Sequence, residues 1–289
     1  MKPASTRGPL VGAHMSIAGG LHLAVQRAVE VGCLTLQIFV KNASQWKGRE
    51  LMQSDVELFR RAVATSALCP VVAHDSYLIN MAAPDGEVRR KSLDALVDEL
   101  ERCERLGLSQ LVAHPGSHLG EGEQIGIERV ASAINWVHDR LPGYSVKLCL
   151  ELTAGQGSNL GYRFEHLRDM RSLLREPERT SVCLDTCHLL AAGYDICSQS
   201  TFRATLDRFC DVVGLEQLAV IHVNDSRKGL GSRVDRHEHI GKGCIGEEGF
   251  RCVLREPRLE SIPKILETPK EDSDLLDRMN LATLRRLAG

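Results

Sequence analysis

The 289-residue chain has no apolar run of 18 residues and no charged-then-apolar leader. Neither a membrane span nor a secretory signal is expected. No Ser/Gly/Pro-rich or low-complexity stretch interrupts it, so one domain over residues 1–289 is expected, with a core from about 9 to 288 and a flexible segment at 1–8. A basic excess is also missing: 36 Lys and Arg against 38 Asp and Glu leave a formal net charge of −2. Nucleic-acid binders usually carry such an excess, although a local basic face can coexist with an acidic remainder. The ten cysteines include no second pair beside Cys183 and Cys187 to complete a thiolate tetrad. A chain of this size needs no disulfide staples, and reduced thiols packed as small core residues are expected, in a soluble cytoplasmic protein.

Eight short apolar runs are present, at 9–14, 35–40, 70–74, 110–114, 146–152, 181–186, 218–223 and 263–268. Between most of them lie segments with 3.6-residue amphipathic spacing, at 18–31, 56–68, 87–106, 128–141 and 202–213. Strand alternating with helix implies parallel pairing through right-handed crossovers. Eight such units in this length suit an α/β fold of the TIM (β/α)8 barrel type, although a doubly wound open sheet would alternate in the same way. Polar residues arbitrate. His14, His74, His114, Glu151, Asp185, His222 and Glu267 sit at or near the C-terminal ends of seven runs. In a barrel those ends open on one face, whereas an open sheet would spread them along a line.

One histidine after a strand usually means nothing, but seven polar strand ends in one cup would repel and dehydrate at heavy cost unless something positive sat among them. A divalent metal is the economical answer. Donor sets of His with Asp and Glu, without thiolate, suit Zn²⁺ or Mn²⁺ better than Ca²⁺ or Mg²⁺. A further stretch, GSRVDRHEH at 231–239, has no apolar periodicity and holds two carboxylates, two imidazoles and two guanidiniums. Read as an extended loop, it turns Asp235 and His237 to the same side. With His188, three residues past Asp185, these bring the donors besides His14 to nine. That number serves two or three ions, and a multimetal cluster implies in-line displacement at phosphorus. Arg227, Lys228, Arg233, Arg236 and Lys242 cluster around the same stretch, and Arg233 and Arg236 are the candidates to face phosphates. Glu238 and His239 are expected to be solvent-exposed.

The segments GAHMSIAGGL, AHDSYLINMA, AHPGSH, ELTAGQGSNLGYRFEHL, CLDTCHLLAAGYD, HVNDSRKGLGSRVDRHEHIGKGCIG and ILETP together resemble endonuclease IV, the zinc-dependent apurinic/apyrimidinic endonuclease family of DNA base excision repair. The similarity runs in order from about residue 10 to 285. It implies a TIM barrel with three zinc ions, Mn²⁺ being possible at one site. His74, His114 and Glu151 would hold the first ion, and Asp185, His222 and Glu267 the second, with Glu151 bridging. His188, Asp235 and His237 would hold the third. Glu151 and Glu267 would be catalytic, and His14 lies outside the ligand set. The implied reaction is hydrolysis 5′ to an abasic site in duplex DNA, leaving a 3′-hydroxyl and a 5′-deoxyribose phosphate, with trimming of blocked 3′ ends. The implied enzyme is a monomeric hydrolase whose Tyr77 and Leu78 form a wedge entering the minor groove; without the resemblance, SYLIN would read as core packing at a helix start.

Two positions depart from the family pattern. Ser44 stands where an Arg that helps stack into DNA is common, and Leu152 where an Asn is common after the bridging Glu. The second is expected to alter hydrogen bonding around the metal site. The main rival is a xylose-isomerase-like metal-dependent sugar isomerase or epimerase, for which His188, Asp235 and His237 would be surplus. A non-catalytic nucleic-acid-binding barrel is the other, and the full ligand set argues against it.

Overall fold

The computed structural model describes residues 8–270 and 275–289. Apart from Gly8, the segment expected to be flexible lies outside the described residues. In chain order the elements are β1 Val11–His14, α1 Leu21–Val31, β2 Thr35–Phe39, α2 Gln53–Ala64, β3 Val71–His74, α3 Glu87–Leu106, β4 Gln110–Ala113 and α4 Glu123–Arg140. They continue with β5 Lys147–Glu151, α5 Phe164–Ser172, β6 Thr180–Asp185, α6 Thr186–Ala192, α7 Gln199–Val212, β7 Leu218–His222, β8 Asp225–Ser226, β9 His237–Glu238, α8 Gly246–Arg255, β10 Lys264–Leu266 and α9 Leu275–Ala288. Eight parallel strands close into a barrel in the order β1, β10, β7, β6, β5, β4, β3, β2. The open-sheet alternative is thereby excluded. β8 and β9 form a separate antiparallel pair.

Strand alternation sorts the side chains into two cores. Leu36, Ile38, Leu111, Leu148, Leu150 and Val182 point outward and join Val25, Phe59, Leu96, Ile134 and Phe209 of the surrounding helices in one cluster. Val72, Val112, Cys149, Cys183, Val220 and Ile265 point inward and form a second, fully buried layer. Because both faces are buried, the strands read as near-continuous apolar runs. Burying each Val or Ile of the inner layer stabilises the fold by about 1.5–3 kcal/mol relative to leaving it exposed. β1 contributes no side chain to this layer. A Cβ on Gly12 would lie 1.8 Å from the Thr35 carbonyl oxygen, so a glycine is needed where β1 meets β2.

All eight expected strands are present, and the helix bounds shift. α1 begins at Leu21 rather than 18, because Gly19 and Gly20 both hold positive φ values. α4 begins at Glu123, five residues before the expected 128, and α7 starts from a Ser198 capping box with Thr201. Four further helices, α5, α6, α8 and α9, lie outside the five amphipathic segments named from the sequence. In α6, Thr186 through Ala191 are all buried, so it shows no amphipathic face to read. Within α8, Gly249 lowers helix propensity, yet a Cβ there would come within 2.7 Å of the Ile196 carbonyl oxygen. The glycine lets the helix sit against that loop.

Candidate metal centre

Two residues beyond each member of the inner apolar layer stand His74, His114, Glu151, Asp185, His222 and Glu267. A spacing of two keeps the pleat face, so each donor stands above the apolar residue of its own strand. β3, β5, β6 and β7 end on His74, Glu151, Asp185 and His222, while His114 and Glu267 follow β4 and β10 by one residue. His188 reaches the same cup from α6. That helix is capped by Asp185, whose Oδ1 accepts the His188 N–H at 2.8 Å. β9 brings His237 over the rim with Asp235 just before it.

The nine donors fall into three groups. Glu151 Oε2 lies 3.1 Å from His74 Nε2 and 3.3 Å from His114 Nε2. Its other oxygen lies 3.1 Å from His222 Nδ1, which is 3.2 Å from Glu267 Oε2 and 4.0 Å from Asp185 Oδ2. One carboxylate therefore spans two groups. In the third, Asp235 places one oxygen 3.2 Å from His188 Nε2 and the other 3.3 Å from His237 Nε2. Donor atoms of Asp185, His188 and His237 also lie within 4.8 Å of one another.

Hydrogen bonds on the far side of each ring show which nitrogen faces the cup. A carbonyl only accepts, so His74 Nδ1 donates to the Asp75 carbonyl at 2.9 Å, His188 Nδ1 to that of Leu152 at 2.8 Å, and His237 Nδ1 to that of Glu267 at 3.0 Å. Their Nε2 lone pairs are left for the cup. For His222 the fixing group is Gln37. Its amide nitrogen donates to Glu267 Oε1 at 2.5 Å, so its oxygen accepts from His222 Nε2 at 2.9 Å and Nδ1 points inward. The buried Nε2 atoms of His188 and His237 have no hydrogen-bond partner.

Charge within the cup favours cations. Burial alone would raise the Glu151 carboxyl, but the His222 and His114 imidazoles outweigh it and hold it well below the usual range. Burial would lower His188, yet Asp185 and Asp235 hold it well above its ordinary value. Asp235 is brought down to about 2, burial being overcome by His188 and His237. A cup that draws positive charge onto its inward nitrogens suits divalent ions, which replace those protons on binding. The thiols are poor rivals. Burial raises Cys183 well above its normal range and Cys187 to about 12, and only a thiolate ligates.

The chain has relatives among known proteins. A family model described as a xylose isomerase-like TIM barrel matches residues 25–287. A protein of Geotalea daltonii described as probable endonuclease 4 is 50% identical over 275 residues, 95% of this chain and 96% of its own length. The chain belongs to the endonuclease IV family. A crystal structure of endonuclease IV from Thermus thermophilus superimposes with a TM-score of 0.86 at 40% identity, covering 96% of this chain and 98% of that one. A D-tagatose 3-epimerase-like protein superimposes with a TM-score of 0.72 at 17% identity, which reflects the shared barrel alone.

In this member of the endonuclease IV family six of the donors, His74, His114, His188, Asp235, His237 and Glu267, line a cleft of about 1430 Å³, with Glu151, Asp185 and His222 buried behind them. Tyr77 stands on its wall, 73% exposed, its ring edge-on to Phe39 at 5.4 Å. Core packing at a helix start does not describe it, since α3 begins ten residues later. Leu78 is half-buried beside it and does not line the cleft. Arg236 lines the cleft with Arg49, Arg227 and Lys270. Arg233 is exposed but turned elsewhere, its guanidinium 4.5 Å over the Tyr162 ring. Glu238 and His239 are half-buried rather than solvated: Arg227 pairs with Glu238 at 3.1 Å, and Asn280 Nδ2 donates to His239 Nδ1 at 3.1 Å.

Two residues escaped the sequence reading. Gln37 is fully buried and joins His14, His222 and Glu267; it lies two positions after Thr35 on the interior face, and that spacing could have revealed it. Asn224 is also fully buried, donating to Asp185 Oδ2 at 2.6 Å and accepting the Glu267 N–H at 2.7 Å. Leu152 serves the site through its carbonyl while its side chain packs in the outer core. The bond that orients His188 is thus independent of the residue type at 152.

Proposed function

We propose that this chain is a DNA repair endonuclease that hydrolyses the phosphodiester 5′ to abasic sites in duplex DNA, leaving a 3′-hydroxyl and a 5′-deoxyribose phosphate, and that trims blocked 3′ ends. The observation that carries this reading is the third donor group. A sugar isomerase on the same barrel needs one or two ions and would leave His188, Asp235 and His237 without a task. The donor set fits three Zn²⁺ ions, with Mn²⁺ an alternative at one site. His74, His114 and Glu151 would hold the first, Asp185, His222, Glu267 and the shared Glu151 the second, and His188, Asp235 and His237 the third. Bound there, such ions would supply Lewis-acid chemistry: a more acidic water as nucleophile and an offset for the charge that builds on the phosphate and its leaving oxygen.

The chain's own residues supply position. Glu151 and Glu267 are the proposed catalytic carboxylates; Gln37 and Asn224 fix the orientation of Glu267, and Glu151 keeps two donor groups at one spacing. An abasic nucleotide leaves the helix readily, because no base stacks there, and this lowers the cost of reaching the cup. Tyr77, with Leu78 behind it, fills the gap on the duplex side. Arg49, Arg227, Arg236 and Lys270 meet phosphates, while Arg233 acts through Tyr162 on the loop that carries Asp235. The protein works as a cytoplasmic monomer on DNA; among the described residues no helix is long and apolar enough to cross a membrane.

The test is a nicking assay on a synthetic abasic duplex with purified, metal-quantified protein. Three ions per chain and a nick 5′ to the lesion, abolished by prolonged chelation, are expected. One ion per chain and no nick would sink the reading in favour of the isomerase.

A further inference from the structure

The cleft wall opposite the β8–β9 hairpin is built from two irregular loops. One, residues 40–52, joins β2 to α2, and the other, residues 75–80, follows β3 and carries Tyr77. Neither is held by a ladder. Among the described residues, the backbone hydrogen bond internal to 40–51 is Gln45 N to Asn42 O. Both loops are instead gripped from beneath by α3. Lys41 Nζ lies 2.9 Å from Glu99 Oε1, and both side chains are at most 2% exposed. The same ammonium donates to the Gln45 carbonyl at 2.8 Å and to Ser76 Oγ at 3.2 Å. Glu99 Oε2 accepts the Ser76 N–H at 3.1 Å. One turn further along α3, the buried Arg102 donates to the Arg49 carbonyl at 2.7 Å.

Stability is a poor explanation for such a pair. Removing two charges from water costs several kcal/mol per ion, and well-packed apolar replacements are often as stable or more so. What the pair adds is geometry. Two protons of the ammonium go to the Gln45 carbonyl and to the hydroxyl of the residue before Tyr77, while its charge sits against the Glu99 carboxylate of α3. Both loops therefore take one fixed arrangement relative to each other, with Ser44, Gln45 and Tyr77 exposed toward the cleft. A surface ordered before its ligand arrives loses less entropy on binding.

We infer that Lys41 and Glu99 are positioning residues that preset the Ser44–Gln45 loop and the Tyr77 turn as one rigid edge for docking distorted duplex DNA. The inference rests on the abasic-endonuclease reading. It places the role in substrate binding, away from the metal cup and from the chemical step.

The experiment compares the parent, Ser76→Ala and the double variant Lys41→Met/Glu99→Leu, in which the buried charges leave together so that neither is stranded. Each is measured for KM and kcat on abasic duplex, bound zinc and melting temperature. The double variant should keep its zinc and its kcat within about twofold while KM rises about tenfold, because the edge is no longer ordered before the duplex arrives. Ser76→Ala, which removes a single link and is well tolerated sterically, should raise KM about threefold with kcat and zinc intact. An unchanged KM in both variants, or kcat and zinc falling together with KM unaltered, overturns the inference. Failure of the parent to nick abasic duplex is a different result, which removes the functional reading itself.

Discussion

The inner apolar layer and six of the nine donors above it are carried by the same six strands, yet one layer is dry hydrocarbon and thiol while the other is carboxylate and imidazole. A step of two residues separates them. The lower layer, from Val72 round to Ile265, is a plug whose value is burial. The upper layer strains against burial: the Glu151 and Glu267 carboxyls are held below, and the His188 and His222 imidazoles above, their ordinary values by the opposite charges around them, and a ring of amides and carbonyls orients the donors. The difference teaches that stability and function are stacked along the barrel axis, and that substitutions in the two layers should fail in different ways.

The largest contrast is expected from Asp235→Ala. Removing one carboxylate from the third donor group should cut cleavage by on the order of a hundredfold and lower bound zinc, with the circular dichroism spectrum unchanged. Equal activity and equal zinc would show that the hairpin has no metal role. In the plug the converse should hold. Val220→Ala should cost about 1–3 kcal/mol in denaturant unfolding while bound zinc per folded chain stays constant.

A smaller effect tests a titrating group remote from the cup. Burial and the neighbouring Arg179 guanidinium push His138 down to about 4, from an ordinary 6.5. Between those values the unfolded chain holds a proton that the folded chain does not. Stability is thus full above about 6.5 and falls as pH drops toward about 4, by about 1.4 kcal/mol at roughly pH 5.5. His138→Gln should flatten that part of the acid limb, read as the difference between parent and variant in unfolding at several pH values. An identical slope would contradict the assigned shift. Smallest of all is Leu152→Asn. Because the carbonyl at 152 does the orienting, kcat should change by less than about threefold.

Much of this was legible before any coordinates. The strand-end donors stood out because β periodicity is regular and each sits at the end of an apolar run. Gln37 stood out less, since the run at 35–40 continues past it, and its only signal is the two-residue step from Thr35 that puts both on one face of β2. The β8–β9 pair escaped because two residues per strand are too few to show alternation. Glu99 was hidden differently. It belongs to DALVDELERCE, an acidic stretch that reads as a solvated helix face, and only the packing of a 13-residue loop over α3 buries it. Arg233 illustrates the reverse. Its sequence neighbourhood pointed to phosphate, whereas a positive φ turns it onto Tyr162.

The two-residue step between plug and cup also governs which changes in chain length the molecule can bear. Losing one residue inside β5 would exchange parities, sending Glu151 out among the helices and bringing Leu152 into the cup. No substitution at a single position does that. A change of chain length is borne in the loops at the mouth instead, where it alters the cleft wall without disturbing the donors beneath.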